Sequence, residues 1–586
     1  MKVFISTSFD NKYTKNSKKK IYATDFDYYK NHFSKNKIIK NDWENPQILQ
    51  KDFIKLNKVI KKLENIFSIQ LSKLHKNTEA SIFKKIINVW LIHYVHSYYF
   101  KWKIINKLLK QEKKILFTEF DIDSSKVNTI DTKEYLLNLR SSDYHNYIGY
   151  FKILKHLKNN GNKNIFFFKK KSKIVFKNKE NLPSINKFLF LFLASIDKIF
   201  LNFKKIFFLE SQNKFFFLRI NRIFNQVPFK SNNLFNWNKF KKFEVNDKPN
   251  IKTYLQKNID FKNVRIDEFE KFLIKNFNEE IPTCYTSNFE NLKNYIDKID
   301  IKPKIILTFF GHVYNELFKL WIMSKKRKKN LYIIEHGGHH QKIRTIGDYE
   351  FEFGKKFVSW VKYDNINTVS LPAINYFKKN HKIEKDKNFL IYVPIQKHKY
   401  ISRINHGPQS NFQNYSLNDI EIFKKSLSKD IFRNFLFATK QEIDINQKIY
   451  LNKLIYKKNI LKPFQFRNLL SSCKLVICSY PQTAFVDSLM QKPTILVYRK
   501  NLWPNRNDFK NVYNLMKKNK IIFEDAKKAS IHVNKIWKDP LTWWMNTEVK
   551  SARELFLKKF NLINDEEKVL RNWTTFLRSE INIKNL

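Results

Sequence analysis

Short apolar runs alternate with stretches of helical spacing over the second half of the chain. The pattern predicts a strand over 304–310, a helix over 313–329 and a strand over 331–334, a βαβ unit whose right-handed crossover requires a parallel sheet. The rhythm continues with strands over 389–393, 434–438, 475–478 and 494–498 and helices over 417–427, 466–473 and 483–490, which predicts a doubly wound α/β domain. At the start, the apolar run 2–5 leads into Ser6-Thr7-Ser8, a buried strand opening into a polar loop, where open sheets put their ligands. Between 42 and 114 the spacing is helical, with Ile86, Val89, Trp90, His93, Tyr94 and Trp102 at three- and four-residue intervals. His93 and His96 there read as satisfied members of an aromatic helix face, not as ligands. Residues 115–280 mix Phe/Ile runs with Lys/Asn-rich turns and offer no recognisable chemistry. Helices from 526 onward, carrying Trp543, Trp544 and Trp573, are expected to cover a sheet face or to pack back on the first domain.

A chain of 586 residues exceeds one ordinary core, so two or more domains are expected. The division read from the pattern is 1–280, an N-terminal domain with a helical insertion over about 42–114; 281–525, a C-terminal domain; and 526–586, terminal helices. Charge changes the picture less than its size suggests. Lys plus Arg number 111 against 53 for Asp plus Glu, a net +58, but the lysines are dispersed along the chain beside abundant Asn, Ile and Phe, the signature of AT-rich coding. Nucleic acid is therefore not expected as a partner, while an anionic lipid surface or an anionic substrate agrees with the charge. Three cysteines, Cys284, Cys473 and Cys478, make neither a disulfide framework nor a metal site, as expected in a reducing cytoplasm. The first apolar run is too short for a signal sequence. The longest, 188–196, falls short of the roughly 18–20 residues of a membrane span, so any membrane contact is expected to be peripheral, at the inner face.

Glycine is scarce, and six of the 8 lie between 311 and 407: Gly311, Gly337, Gly338, Gly347, Gly354 and Gly407. Where glycine is this rare it marks a positive φ or the close approach of a ligand. His336 follows a strand and precedes Gly337-Gly338, which puts an imidazole at the carboxyl edge of the sheet, able to donate to a phosphate or to move a proton near neutral pH. A zinc site shared with His339 and His340 lacks a Cys or carboxylate at ligand spacing, and no metal is expected. The second cluster runs from Cys478 through Ser479, Tyr480, Gln482 and Thr483 to Asp487, a strand that opens through a polar turn into a helix. Ser479, Thr483 and the free amides of that turn suit phosphate oxygens, and Asp487 one helical turn later suits a ribose or sugar hydroxyl, although a simple N-cap explains Ser or Thr as well. Walker-type and GxGxxG loops are absent.

On these residues the chain resembles a family of transferases encoded in bacterial surface-polysaccharide gene clusters and, more distantly, polyglycerol-phosphate and capsule transferases of GT-B architecture. The likeness spans Phe4-Ile5-Ser6-Thr7-Ser8, the segment 90–102, Ile281-Pro282, the segment 315–321, Glu335-His336-Gly337-Gly338, Phe357-Val358-Ser359-Trp360, Tyr400-Ile401-Ser402-Arg403, Gly407-Pro408, the segment 479–487, Lys492-Pro493-Thr494 and Trp543-Trp544. The resemblance implies a GT-B-like α/β fold, two Rossmann-like domains facing a cleft, and a glycosyltransferase. Its donor would be a nucleotide-activated sugar, a CMP-activated acidic sugar being one class, and its acceptor a saccharide or lipid-linked saccharide; no cofactor is implied beyond the donor. It further implies His336 as catalytic residue, with Asp10 as the alternative, and Ser6, Thr7, Gly337, Gly338, Arg403, Ser479, Tyr480, Gln482, Thr483 and Asp487 as donor-binding residues. Rival readings are transfer of a polyol phosphate from a CDP donor and a non-catalytic binding protein on the same fold. Two positions depart from the family pattern: Glu335 stands where Gln is usual, and His340-Gln341 where a Tyr-Gly pair is usual.

Overall fold

The computed structural model describes residues 2–7, 9, 20–22, 37–38, 42–76, 78–111, 114–121, 128–170, 187–202, 204–210, 213–226, 233–244, 265–337, 349–363, 367–376, 387–395, 399–404, 412–439, 455–462, 465–499, 506–563 and 565–582. Fifteen strands among them form three parallel sheets. The first holds β1 (Lys2–Ser6), β2 (Lys20–Tyr22), β3 (Lys37–Ile38), β4 (Lys114–Phe120) and β5 (Ile165–Lys170), in the order β3-β2-β1-β4-β5.

Parallel neighbours need long crossovers, and the connection from β3 to β4 carries the helical insertion: Pro46–Leu74, Ala80–Ile86 and Asn88–Gln111. The first of these starts where Asn45 accepts from the amides of Gln47 and Ile48, with Pro46 in the first turn, where its missing N–H costs nothing. Its buried Leu56, Leu63, Phe67 and Leu71 recur at helical spacing. Glu280 accepts from Tyr98 (2.6 Å), Tyr135 (3.0 Å) and Lys152 (2.5 Å). Burial alone would raise its carboxyl, but these donors, led by Lys152, hold it below the usual range.

The second sheet holds β6 (Ile206–Phe208), β7 (Ile305–Thr308), β8 (Leu331–Ile334), β9 (Lys356–Ser359) and β10 (Thr368–Ser370), in the order β10-β9-β8-β7-β6. One face, with Ile306, Ile333 and Phe357, shares the core of the first sheet and its helices. The other face is covered by Lys214–Ile223 and the last helix, Glu566–Asn582, with Trp573 buried between them. The third sheet holds β11 (Lys387–Val393), β12 (Phe435–Phe437), β13 (Cys473–Cys478), β14 (Thr494–Val497) and β15 (Ile522–Phe523), in the order β12-β11-β13-β14-β15, with a core on each face.

The α/β class, the parallel sheets and the helical insertion are as expected, and the first and third sheets have Rossmann-like and flavodoxin-like strand orders. The division at 280 is corrected. β6, on its N-terminal side, pairs with β7 on the other, so the boundary cuts a sheet, and 281–525 supplies strands to two sheets. The cause is legible afterwards: Ile206–Phe208 is a three-residue apolar run among many similar runs, and only its place beside β7 makes it a strand.

Candidate active site

Ligands of open α/β sheets bind beyond the carboxyl ends of the strands, where the strand order reverses. The first sheet reverses between β1 and β4, the third between β11 and β13. Beyond β1, Ser6 and Thr7 are fully buried, and Phe9 packs on Phe120, Tyr144 and Tyr147 at 5.5, 5.4 and 5.1 Å. Beyond β13, the Ser479 amide donates to the Val393 carbonyl (3.0 Å) and the Ser479 hydroxyl accepts from the Ile395 amide (2.6 Å). Ser479 thus staples the two strands at the reversal, and its own hydroxyl proton stays available for a further acceptor. The helix that follows, Thr483–Leu489, has Gln482 at its N-cap without a side-chain cap bond.

Segment 399–404, which follows β11 along the chain, reaches the helices of the first sheet. The Tyr400 amide donates to the Arg140 carbonyl (3.0 Å), the Tyr400 hydroxyl to Asp143 (2.6 Å), and Lys399 pairs with Asp143 (2.5 Å). Arg140 Nε donates to the Ser402 hydroxyl (3.3 Å), His93 Nδ1 meets the Ser402 carbonyl (3.2 Å), and the Ile404 amide donates to His96 Nδ1 (3.3 Å). The segment thus bonds Arg140, at the end of helix Thr132–Ser141, and brings Arg403 beside His93 and His96. The guanidinium charge is felt there: burial first, then Arg403 and Arg140, hold His93 well below the ordinary imidazole value, and burial with Arg403 lowers His96 to about 3. Burial also draws Arg140 itself down, with the Tyr314 phenol beside it.

Tyr314 leads to the carboxyl edge of the second sheet. Its ring lies 6.3 Å from Phe310, and Phe310 packs on the half-buried His336 ring at 4.3 Å. This edge is held by carboxylates. Glu210 accepts from the Thr308 hydroxyl (2.7 Å) and the amides of Phe309 (2.9 Å) and Phe310 (3.4 Å). Buried Glu335 accepts from the Ser359 hydroxyl (2.6 Å) and the Trp360 amide (2.9 Å). The negative charge expected beside a phosphate is thus turned onto β9.

A family model covers residues 3–577 of this chain. The chain belongs to the LIC12162 family of transferases. Among curated proteins none matches it significantly. Solved structures similar to this transferase include a provisional UDP-N-acetylglucosamine 2-epimerase from Listeria monocytogenes, at 9% identity over 78% of this chain and 94% of that one with a TM-score of 0.30. An α,α-trehalose 6-phosphate synthase from Burkholderia multivorans matches at 7% identity over 51% and 76% with a TM-score of 0.29. S. aureus MnaA with UDP matches at 8% over 78% and 99% with a TM-score of 0.23. Scores of this size carry no inference about chemistry.

The site residues read from the sequence of this transferase fall into groups. Ser479, Tyr480, Gln482 and Thr483 stand at the third sheet's reversal, Ser6 and Thr7 at the first's, and Arg403 beside His93 and His96. His336 and buried Gly337 lie at the second sheet's edge. Asp10 and Gly338 lie outside the described residues, as do His339 and His340. Among the described residues no group of His, Cys, Asp or Glu is placed to hold a metal. Asp487 is buried beside the Tyr376 phenol, which burial and that carboxylate push well above its ordinary value. The glycine expectation is refined. Gly311 is required by close packing, since a Cβ there would sit 2.2 Å from Leu209 Cδ2, and the positive-φ glycine among the described residues is Gly161, outside the cluster. Arg140, Asp143, Tyr314 and Glu210 were missed. For Arg140 a signal existed: only 14 of the 111 basic residues are arginine, so arginine, like glycine, stands out where lysine is the default.

Proposed function

We propose that this transferase is a GT-B-like glycosyltransferase that moves a sugar from a nucleotide-activated donor, a CMP-activated acidic sugar being the class that suits it best, to a saccharide or lipid-linked saccharide acceptor of a surface polysaccharide. The observation that supports it is the segment 399–404, which follows β11 in the chain and bonds Arg140 on the helices of the first sheet, with Arg403 beside His93 and His96. Planar guanidinium groups match phosphate and carboxylate oxygens bidentately, and an acidic sugar nucleotide offers both. Ser479 and the turn to Thr483 take the remaining phosphate oxygens. His336 serves the transfer step by accepting the acceptor hydroxyl's proton as the glycosidic bond forms and the nucleotide leaves. A peripheral position at an anionic membrane belongs to the same reading.

Thermal-shift titration with CMP, CDP and UDP tests it. CMP or a CMP-sugar should raise the melting temperature as ligand concentration exceeds Kd, and Arg403→Met should abolish the rise. Stabilisation by CDP-polyols alone would replace sugar transfer with polyol-phosphate transfer, and no stabilisation by any nucleotide would sink the enzymatic reading.

A further inference from the structure

The helix Lys187–Asn202 buries Phe190, Ala194, Asp197 and Leu201 against the second sheet's shared core. Its opposite face is also apolar. Phe188 (77% exposed), Phe192 (55%) and Ile199 (59%) stand at i, i+4 and i+11, with Leu191 beside them, a stripe about 16 Å long at 1.5 Å per residue. The helix runs directly into β6, and there it meets charge that the sequence shows only as dispersed.

Strands β6, β7 and β8 are parallel neighbours, so the segments that precede them meet at one end of the sheet, its amino edge. Bonds tie these segments to one another and to the helix. Lys198 Nζ donates to the Lys298 carbonyl (2.8 Å), the Ile305 amide to the Lys205 carbonyl (2.9 Å), Asn330 Nδ2 to the Pro303 carbonyl (2.8 Å), and Lys325 Nζ to the Asp297 carbonyl (3.1 Å). The edge therefore gathers Lys205, Lys298, Lys302, Lys304 and the run 325–329, Lys-Lys-Arg-Lys-Lys, against the carboxylates Asp297 and Asp300, with Glu352 and Lys85 beside Lys328.

We propose that this amino edge and the outer stripe of Lys187–Asn202 form one docking surface for an anionic lipid bilayer, the apolar side chains entering the acyl boundary and the lysines meeting the headgroups. The inference deepens the membrane part of the proposed function and rests on that part alone. Charge selects the occupant. A second copy would bring +58 against +58 and an identical basic edge. Nucleic acid would match the lysines but gives phenyl rings nothing to enter, its interfaces being polar and wet. Docking here also orients the molecule. Strands of four residues span roughly 13 Å, so His336 stands about that far from the basic edge, at the opposite end of β8.

The test is co-sedimentation of the full chain with phosphatidylcholine vesicles, with and without roughly one-quarter phosphatidylglycerol. Binding should require the anionic lipid. The triple variant Phe188→Asp, Phe192→Asp, Ile199→Asp should lower partitioning on the order of tenfold or more, and Lys325→Glu, Lys326→Glu, Lys329→Glu should remove its salt dependence. Should the triple variant unfold, Ile199→Cys carrying an environment-sensitive dye gives a second readout, since Cys284, Cys473 and Cys478 are buried; its emission should shift to the blue on anionic vesicles. Absence of vesicle binding overturns the proposal. So does a concentration-dependent dimer abolished by the triple variant, or binding to duplex DNA that outcompetes vesicles. Nucleotide binding measured without vesicles is independent of all these outcomes, so failure of docking and failure of the donor reading are told apart.

Discussion

At the carboxyl edge of the second sheet the loop amides are taken by carboxylates, Glu210 on Phe309 and Phe310 and Glu335 on Trp360. At the third sheet the corresponding bond, to Ile395, is taken by the neutral hydroxyl of Ser479. An anion arriving at the second edge meets negative charge where donors would be needed. At the third it meets a hydroxyl, with Arg403 on the segment that follows β11 in the chain. On the function proposed above, the side chain that fills each loop assigns the phosphate to the third edge and proton transfer to the second.

The comparison breaks most readily at the arginines. Removing both, as Arg140→Met with Arg403→Met, should weaken binding of a nucleotide donor on the order of a hundredfold or more, the loss of two charge-assisted contacts, measured by calorimetric titration. Unchanged affinity would move the phosphate site elsewhere. Next in size is His336→Gln, which should lower turnover on the order of a hundredfold, the usual scale for a proton-transfer group, while donor affinity stays near its original value. A variant that binds poorly but turns over normally when saturated would reverse the roles assigned to the two edges.

Glu335 separates charge from hydrogen bonding. Glu335→Ala strands the buried Ser359 hydroxyl and Trp360 amide and should cost about 1–3 kcal/mol of stability, read by denaturant unfolding. Glu335→Gln keeps an acceptor oxygen for both donors and should cost less than about 1 kcal/mol. Equal losses in the two variants would show that the charge itself, and not the acceptor, holds β8 to β9.

Much of the second and third sheets was legible because their strands are continuous apolar runs between turns. The strand expected over 331–334 is Leu331–Ile334 in the structure, and the helix expected over 483–490 is Thr483–Leu489. β2 and β3, with three and two residues, left no periodicity to read. β6 was lost among equivalent Phe/Ile runs, and with it the boundary of the second sheet. Among site residues, Ser479 and His336 announced themselves because each follows a buried strand. Arg140 and Asp143 sit at the end of one helix and the start of the next, Asp143 being 257 residues from Tyr400 in the chain, and only the fold brings them to it. The basic edge was hidden in the same way: Lys205, Lys298 and Lys325 look dispersed until parallel pairing stacks the starts of β6, β7 and β8.

The smallest expected effect sharpens the comparison from the first sheet's side. His96 is fully buried, its Nδ1 accepts from the Ile404 amide at 3.3 Å, and burial with the Arg403 charge lowers it from 6.5 to about 3. That bond fixes the neutral tautomer with its proton on Nε2. A folded value below the unfolded one means that the unfolded chain takes up the proton first. The contribution of neutral His96 to stability is therefore complete above about pH 6.5 and is lost as pH falls toward 3, by at most about 1.4 kcal/mol for each pH unit crossed. His75, His93, His156 and His532 are lowered as well, so the share of His96 is the difference between the wild-type chain and His96→Asn across pH 6.5 to 4.5. A donor phosphate on Arg403 offsets the positive charge that holds His96 down. Saturation with donor should then raise the His96 value and flatten the wild-type slope by more than it flattens that of His96→Asn, which keeps only His93 under the Arg403 charge. A wild-type slope indifferent to donor would mean that the anion binds away from Arg403, and the third sheet's loop would lose its claim over the second's.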